Sequence, residues 1–92
     1  MHILFYNYVE DVAPKREPFR AQHLDLLRDL ERKGIVKMAG AFADPLDGAV
    51  IIFNTDDRSV VEAFVQEDPY VANGLVTTWR IRAWDVVIGA EG

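Results

Sequence analysis

Ninety-two residues suffice for one hydrophobic core and are too few for two, so residues 1–92 read as a single domain. Ten Lys and Arg stand against fifteen Asp and Glu, and a net charge of −5 argues against a nonspecific nucleic-acid binder. The lack of cysteine removes disulfides, thiolate catalysis and the common zinc motifs. No apolar run approaches the roughly 20 residues of a membrane span. Met1-His2 leads straight into an apolar stretch without the features of a signal peptide, and the expectation is a cytoplasmic protein.

His2 to Val9 is apolar at odd and even positions alike, which predicts a strand buried on two faces. A charged connection, Glu10 to Lys15, follows. Pro18, tolerated in a first turn, places the start of the first helix near Lys15 to Pro18. The helix runs to Lys33 and stops at Gly34, a good left-handed cap. Phe19, His23, Leu26, Leu27 and Leu30 recur at three- and four-residue steps and share the inward face. His23 is thus an imidazole among leucines. It reads either as a satisfied core histidine or as the side chain suited to move a proton near neutral pH.

Ile35 to Phe42 is a second strand, with Ala39-Gly40-Ala41 at its centre marking a bulge or the close approach of a ligand at Gly40. Asp44 to Gly48 is a turn by its chemistry, and Ala49 to Phe53 a third strand. Asn54 to Ser59 supplies caps for a second helix reaching about Glu67, with Val60, Val61, Phe64 and Val65 inward. Asp68 falls on the same stripe, Pro69 ends the helix, and Tyr70 to Gly74 forms a turn or helical fragment. The last strand runs from Leu75 to about Ile88, with Trp79 and Trp84 on opposite faces as core and interface residues.

This βαββαβ order predicts an α+β, ferredoxin-like sandwich with both helices on one face of an antiparallel sheet. The other face is apolar and uncovered, and a homodimer packed face to face is the simplest way to bury it.

Three pieces stand in register: Arg20-x-x-His23-Leu24, Ala39-Gly40-Ala41 after the Gly34 stop, and Asp68-Pro69-Tyr70-x-Ala72-x-Gly74. Their order and spacing resemble the YciI-like (YCII-related) proteins, from the first strand to Trp84. The resemblance implies a dimeric α+β barrel and a catalytic pair, His23 and Asp68. A dehydrochlorinase of a chlorinated hydroxyhydroquinone is similar in pattern, and muconolactone isomerases and small cofactor-free monooxygenases are alike in fold. Ala41 stands where the family often has proline, and the loop from Ala43 to Gly48 is short, so substrate choice carries over least.

An aspartate accepting a hydrogen bond from one ring nitrogen fixes the imidazole tautomer and leaves the other nitrogen free to take a proton. Such a pair suits a cofactor-free lyase, of dehydrochlorinase type, or an isomerase acting on a small cyclic or aromatic substrate. Arg20, one turn before His23, suits a carboxylate or phenolate, or else pairs with Glu17 or Asp25. Tyr70 is a candidate donor to the ligand, which is expected to be small and anionic or phenolic. No glycine-rich phosphate loop, dinucleotide fingerprint or metal-ligand spacing occurs, so neither cofactor nor metal is expected. The alternative is a non-catalytic ligand-binding or dimerisation module of the same fold. With the two helices expected to run roughly parallel, His23 and Asp68 meet only if the second helix is short, its exit folds back, or the contact crosses a dimer.

Overall fold

The computed structural model describes residues 1–89. Its elements are β1 (His2–Tyr8), α1 (Val12–Arg32), β2 (Val36–Ala41), β3 (Gly48–Phe53), α2 (Arg58–Glu67), the short α3 (Pro69–Ala72) and β4 (Val76–Ala83). The strands form one antiparallel sheet in the order β2-β3-β1-β4, the ferredoxin-like arrangement expected from the sequence. Among the described residues no helix is long and apolar enough to cross a membrane.

Strand alternation sorts the side chains of β1. His2, Leu4, Tyr6 and Tyr8 are buried toward the helices, while Ile3 and Phe5 face the other side and are only half-buried. Leu4 and Phe53 are fully buried at the centre of the core, each contributing about 1.5–3 kcal/mol relative to exposure. Leu27 from α1 and Val61, Phe64 and Val65 from α2 close over them. On the outer face Met38, Phe42 and Trp84 are exposed beside Ile3, Phe5, Val50 and Ile52, and Arg80 lies over the Phe5 ring at 4.7 Å.

Several boundaries differ from those predicted, each for an identifiable reason. The first helix starts at Val12, so Pro14 takes the first-turn position that costs no hydrogen bond, and Pro18 lies inside the helix. The last strand ends at Ala83 because its partner, β1, begins at His2 opposite it; Trp84 N–H donates to the Met1 carbonyl and pairing ceases. The irregularity in β2 lies between Val36 and Met38, not at Gly40. Trp79 faces the helix side but is 38% exposed, since β4 is an edge strand. Gly34 has the expected left-handed φ of 77°.

Two local features secure the frame. The Asp57 carboxylate caps α2, accepting from Ser59 N–H at 2.9 Å and from the Ser59 hydroxyl at 2.6 Å. At Gly48 a Cβ would stand 2.5 Å from the Tyr6 carbonyl oxygen and 3.1 Å from the Phe42 ring. Asp57→Ala is therefore expected to cost about 1 kcal/mol, and Gly48→Ala about 1–3 kcal/mol through overpacking. Urea unfolding measures both, and an unchanged midpoint for Gly48→Ala would contradict the close approach.

Candidate active site

Tyr6 and Tyr8 end the inward face of β1, at the edge where α2 finishes and α1 begins. The Tyr6 hydroxyl donates to Asp68 Oδ2 at 2.7 Å. Asp68 itself is placed by two helix ends, closing α2 and capping α3, where Pro69 fits the first helical position. Its Oδ1 accepts from Tyr70 N–H at 3.0 Å, and His23 Nδ1 lies 2.8 Å from the same oxygen. Asp68 is fully buried and His23 is 6% exposed.

The sheet explains why His23 and Asp68 meet within one chain. β1 and β3 run antiparallel, and each is followed by a helix that returns along the sheet, so α1 and α2 run antiparallel rather than parallel. The end of α2 therefore lies beside the middle of α1, where the early start at Val12 places His23. The imidazole is also stacked on the Tyr70 ring, with centroids 3.7 Å apart and planes 6° from parallel, and Phe64 meets it edge-on. Its orientation is fixed from two directions.

A carboxylate offers acceptors only, so Nδ1 donates to Asp68, and in the neutral imidazole the lone pair is on Nε2. Among the described residues Nε2 has no protein hydrogen-bond partner, and His23 lines a cavity of about 180 Å³. Tyr8, Tyr70 and the α1 residues Arg16, Arg20 and Leu27 form part of its wall. Ala39, Gly40 and Ala41 of β2 face Ala49 and Ile51 of β3 across the rest. Apart from Ile51 the inward positions here are alanines, and their small side chains leave the space under α1. Gly40 borders the cavity through its backbone; a Cβ there would point to the outer face and meet nothing within 4 Å. Arg20 makes no ion pair with Glu17 or Asp25, and Asp25 faces Arg28 instead.

Tyr6 and Tyr8 are site residues that the sequence reading passed over, and Arg16 joins Arg20 from the positive cluster at the start of the first helix. Period-two alternation from Leu4 puts both hydroxyls inward, and Arg16 stands four and seven residues before Arg20 and His23 on one helix face. Burial raises the Tyr6 phenol far above its ordinary value, and the Asp68 charge and hydrogen bond add to this. Burial, then the neighbouring Tyr70 and Asp68, push Tyr8 up to about 12, against the opposing pull of Arg16 and Arg20. Burial likewise raises Tyr70. All of these phenols are neutral donors at pH 7.

The YCII-related domain matches residues 1–85. The chain belongs to the YCII-related domain family. No curated protein matches its sequence. Among solved structures it is similar to the 5-chloro-2-hydroxyhydroquinone dehydrochlorinase TftG from Burkholderia phenoliruptrix AC1100, determined in complex with 2,5-dihydroxybenzoquinone. The two are 22% identical with a TM-score of 0.75, over 92% of this chain and 94% of that one, a likeness of fold.

In this YCII-related chain the tyrosines give a pH signature. Unfolded phenols ionise near pH 10, while the folded ones hold their protons to higher pH, Tyr8 to about 12. The phenols' contribution to stability is therefore constant below about pH 10 and falls as pH rises through about 12, because only the unfolded state releases protons in that window. Phenolate absorbance and urea midpoints followed together should show no tyrosine titrating near its ordinary value while the protein stays folded. Tyr6→Phe should remove the highest step.

Proposed function

We propose that the chain is a cofactor-free enzyme of lyase or isomerase type, acting by proton transfer on a small cyclic or aromatic substrate. His23 is the base, and Asp68 is its orienting partner. The reading is carried by one observation: the imidazole is held through Nδ1 by a fully buried carboxylate while its ring borders a cavity. Nε2 takes a proton from a substrate carbon or hydroxyl, and the electron pair left behind forms a new C=C or C=O bond. In a lyase the leaving group departs with its own pair; in an isomerase the proton returns to a different carbon.

The size of the cavity supports a single ring, since an engineered space of about 150 Å³ accepts benzene. Arg20 and Tyr70 on its wall suit an anionic or phenolic ligand. Fold kinship with TftG makes 5-chloro-2-hydroxyhydroquinone the first substrate to test, with loss of one proton and one chloride as the expected step. A cytoplasmic setting is part of the same proposal.

Chloride release by the wild-type protein should fall about 10²- to 10⁴-fold in His23→Ala, the range that a positioned base supplies. Asp68→Asn should lose a large share, and the two losses should not add in the double variant. Equal turnover by wild type and His23→Ala would remove His23 as the base. Binding of aromatic acids or phenols, seen as thermal shifts, without turnover of any of them would favour the non-catalytic ligand-binding module.

We further propose that the chain is a homodimer, joined through the outer sheet face. Ile3, Phe5, Val50, Ile52, Met38, Phe42 and Trp84 form an apolar surface that the helices leave uncovered. Sedimentation equilibrium should give twice the chain mass at micromolar concentration, and Phe5→Glu should give the single mass. A wild-type monomer would overturn this assembly.

A further inference from the structure

The charge lining the cavity is one-sided. Arg16 and Arg20 reach it, and among the described residues no carboxylate does, in a chain that carries five more acids than bases. Among the described residues neither arginine makes an ion pair, although Glu17 and Asp25 lie close in sequence. Further along the same helix, Arg28 and Arg32 do pair, with Asp25 and Asp29. Arg16 Nε is buried and has no hydrogen-bond partner. A buried donor on a permanently charged group is expected to be matched, and none of the described residues matches it.

We propose that Arg16 and Arg20 form an oxyanion-binding site at this cavity, selecting a planar single-ring ligand with one negative charge shared between two oxygens, as in a carboxylate. It rests on the proton-transfer reading only for where the reacting atom of that ligand lies. Arg16, Arg20 and His23 lie on one face of α1. Along the helix axis Arg20 is about 4.5 Å and Arg16 about 10.5 Å from the histidine. A ring whose charged end meets the arginines thus presents its far side toward the imidazole. The guanidinium fork matches two oxygens sharing a charge better than a lone hydroxyl. Tyr8, on the same wall and a neutral hydroxyl, can add a donor without adding negative charge.

Benzoate and its neutral counterpart benzamide separate the charge from the ring. In ¹⁵N-labelled wild-type protein, benzoate should shift the Arg16 Nε–H resonance and bind at least tenfold more tightly than benzamide. Arg16→Gln should abolish that preference, and Arg16→Lys, which keeps the charge without the fork, should restore only part of it. Arg32→Gln, an equal change of charge outside the cavity, should leave it intact. Equal binding of benzoate and benzamide, or an unmoved Arg16 Nε–H, would overturn the site, and both readings need only the wild-type protein. Selective binding with no turnover on any substrate leaves this site standing and the base role of His23 fallen; turnover without selectivity does the reverse.

Discussion

A single buried carboxylate ties this fold to its candidate chemistry. Moving a charge out of water costs several kcal/mol unless hydrogen bonds replace the lost hydration. Asp68 is fully buried, and it is met by Tyr6 from β1, His23 from α1 and the Tyr70 amide from α3. Three elements far apart in the chain must converge for the carboxylate to be tolerated. Loss of any one donor would leave a charge short of partners, a more damaging state than loss of an apolar contact of similar size. The site geometry is thereby over-determined, as a base that must hold one tautomer and one orientation requires.

The cavity follows from residue size along two strands. The inward positions of β2 and β3 beneath α1 carry Ala39, Ala41 and Ala49, while β1 places Leu4 and Tyr6 on the same side of the sheet. Large side chains fill the space under α2, and small ones leave it open under the first half of α1. The stretch of α1 from Arg16 to His23 lines this space, and the turns that follow carry the salt-bridged, solvent-facing charges. One helix thus serves a binding wall and a solvated surface in succession.

The element order, the inward histidine and the Asp-Pro turn were legible because each is a local signal. They rest on periodicity at His23 and on the chemistry of helix exit at Pro69. The start of α1 was not legible, since two prolines compete for the first turn and the sequence alone does not say that Pro14 takes it. The meeting of His23 with Asp68 depended on helix direction, which antiparallel pairing of β1 with β3 sets and no local pattern states. Gly40 drew attention as an odd residue in a strand, yet the flanking alanines face inward and form the space. Tyr6 and Tyr8 read as apolar bulk in a strand buried on both faces; their hydroxyls acquire meaning only once Asp68 and the arginines are placed opposite them.

The same alternation separates two demands that would otherwise conflict. Tyr6 faces the buried carboxylate, and Phe5, one residue away, faces the uncovered apolar surface. Ala39 and Ala41 border the cavity, and the Gly40 side-chain position points outward between them. Because the period of a strand is two, a one-residue slip would send the tyrosine hydroxyls into the apolar face and Phe5 into the carboxylate knot. Correct register is thus enforced from both sides of the sheet, by desolvation of polar groups on one and exposure of apolar groups on the other. Substitutions that alter the outer surface at Phe5 or Val50 change side chains that never touch the His23–Asp68 pair, so assembly and chemistry can vary independently on a four-stranded sheet.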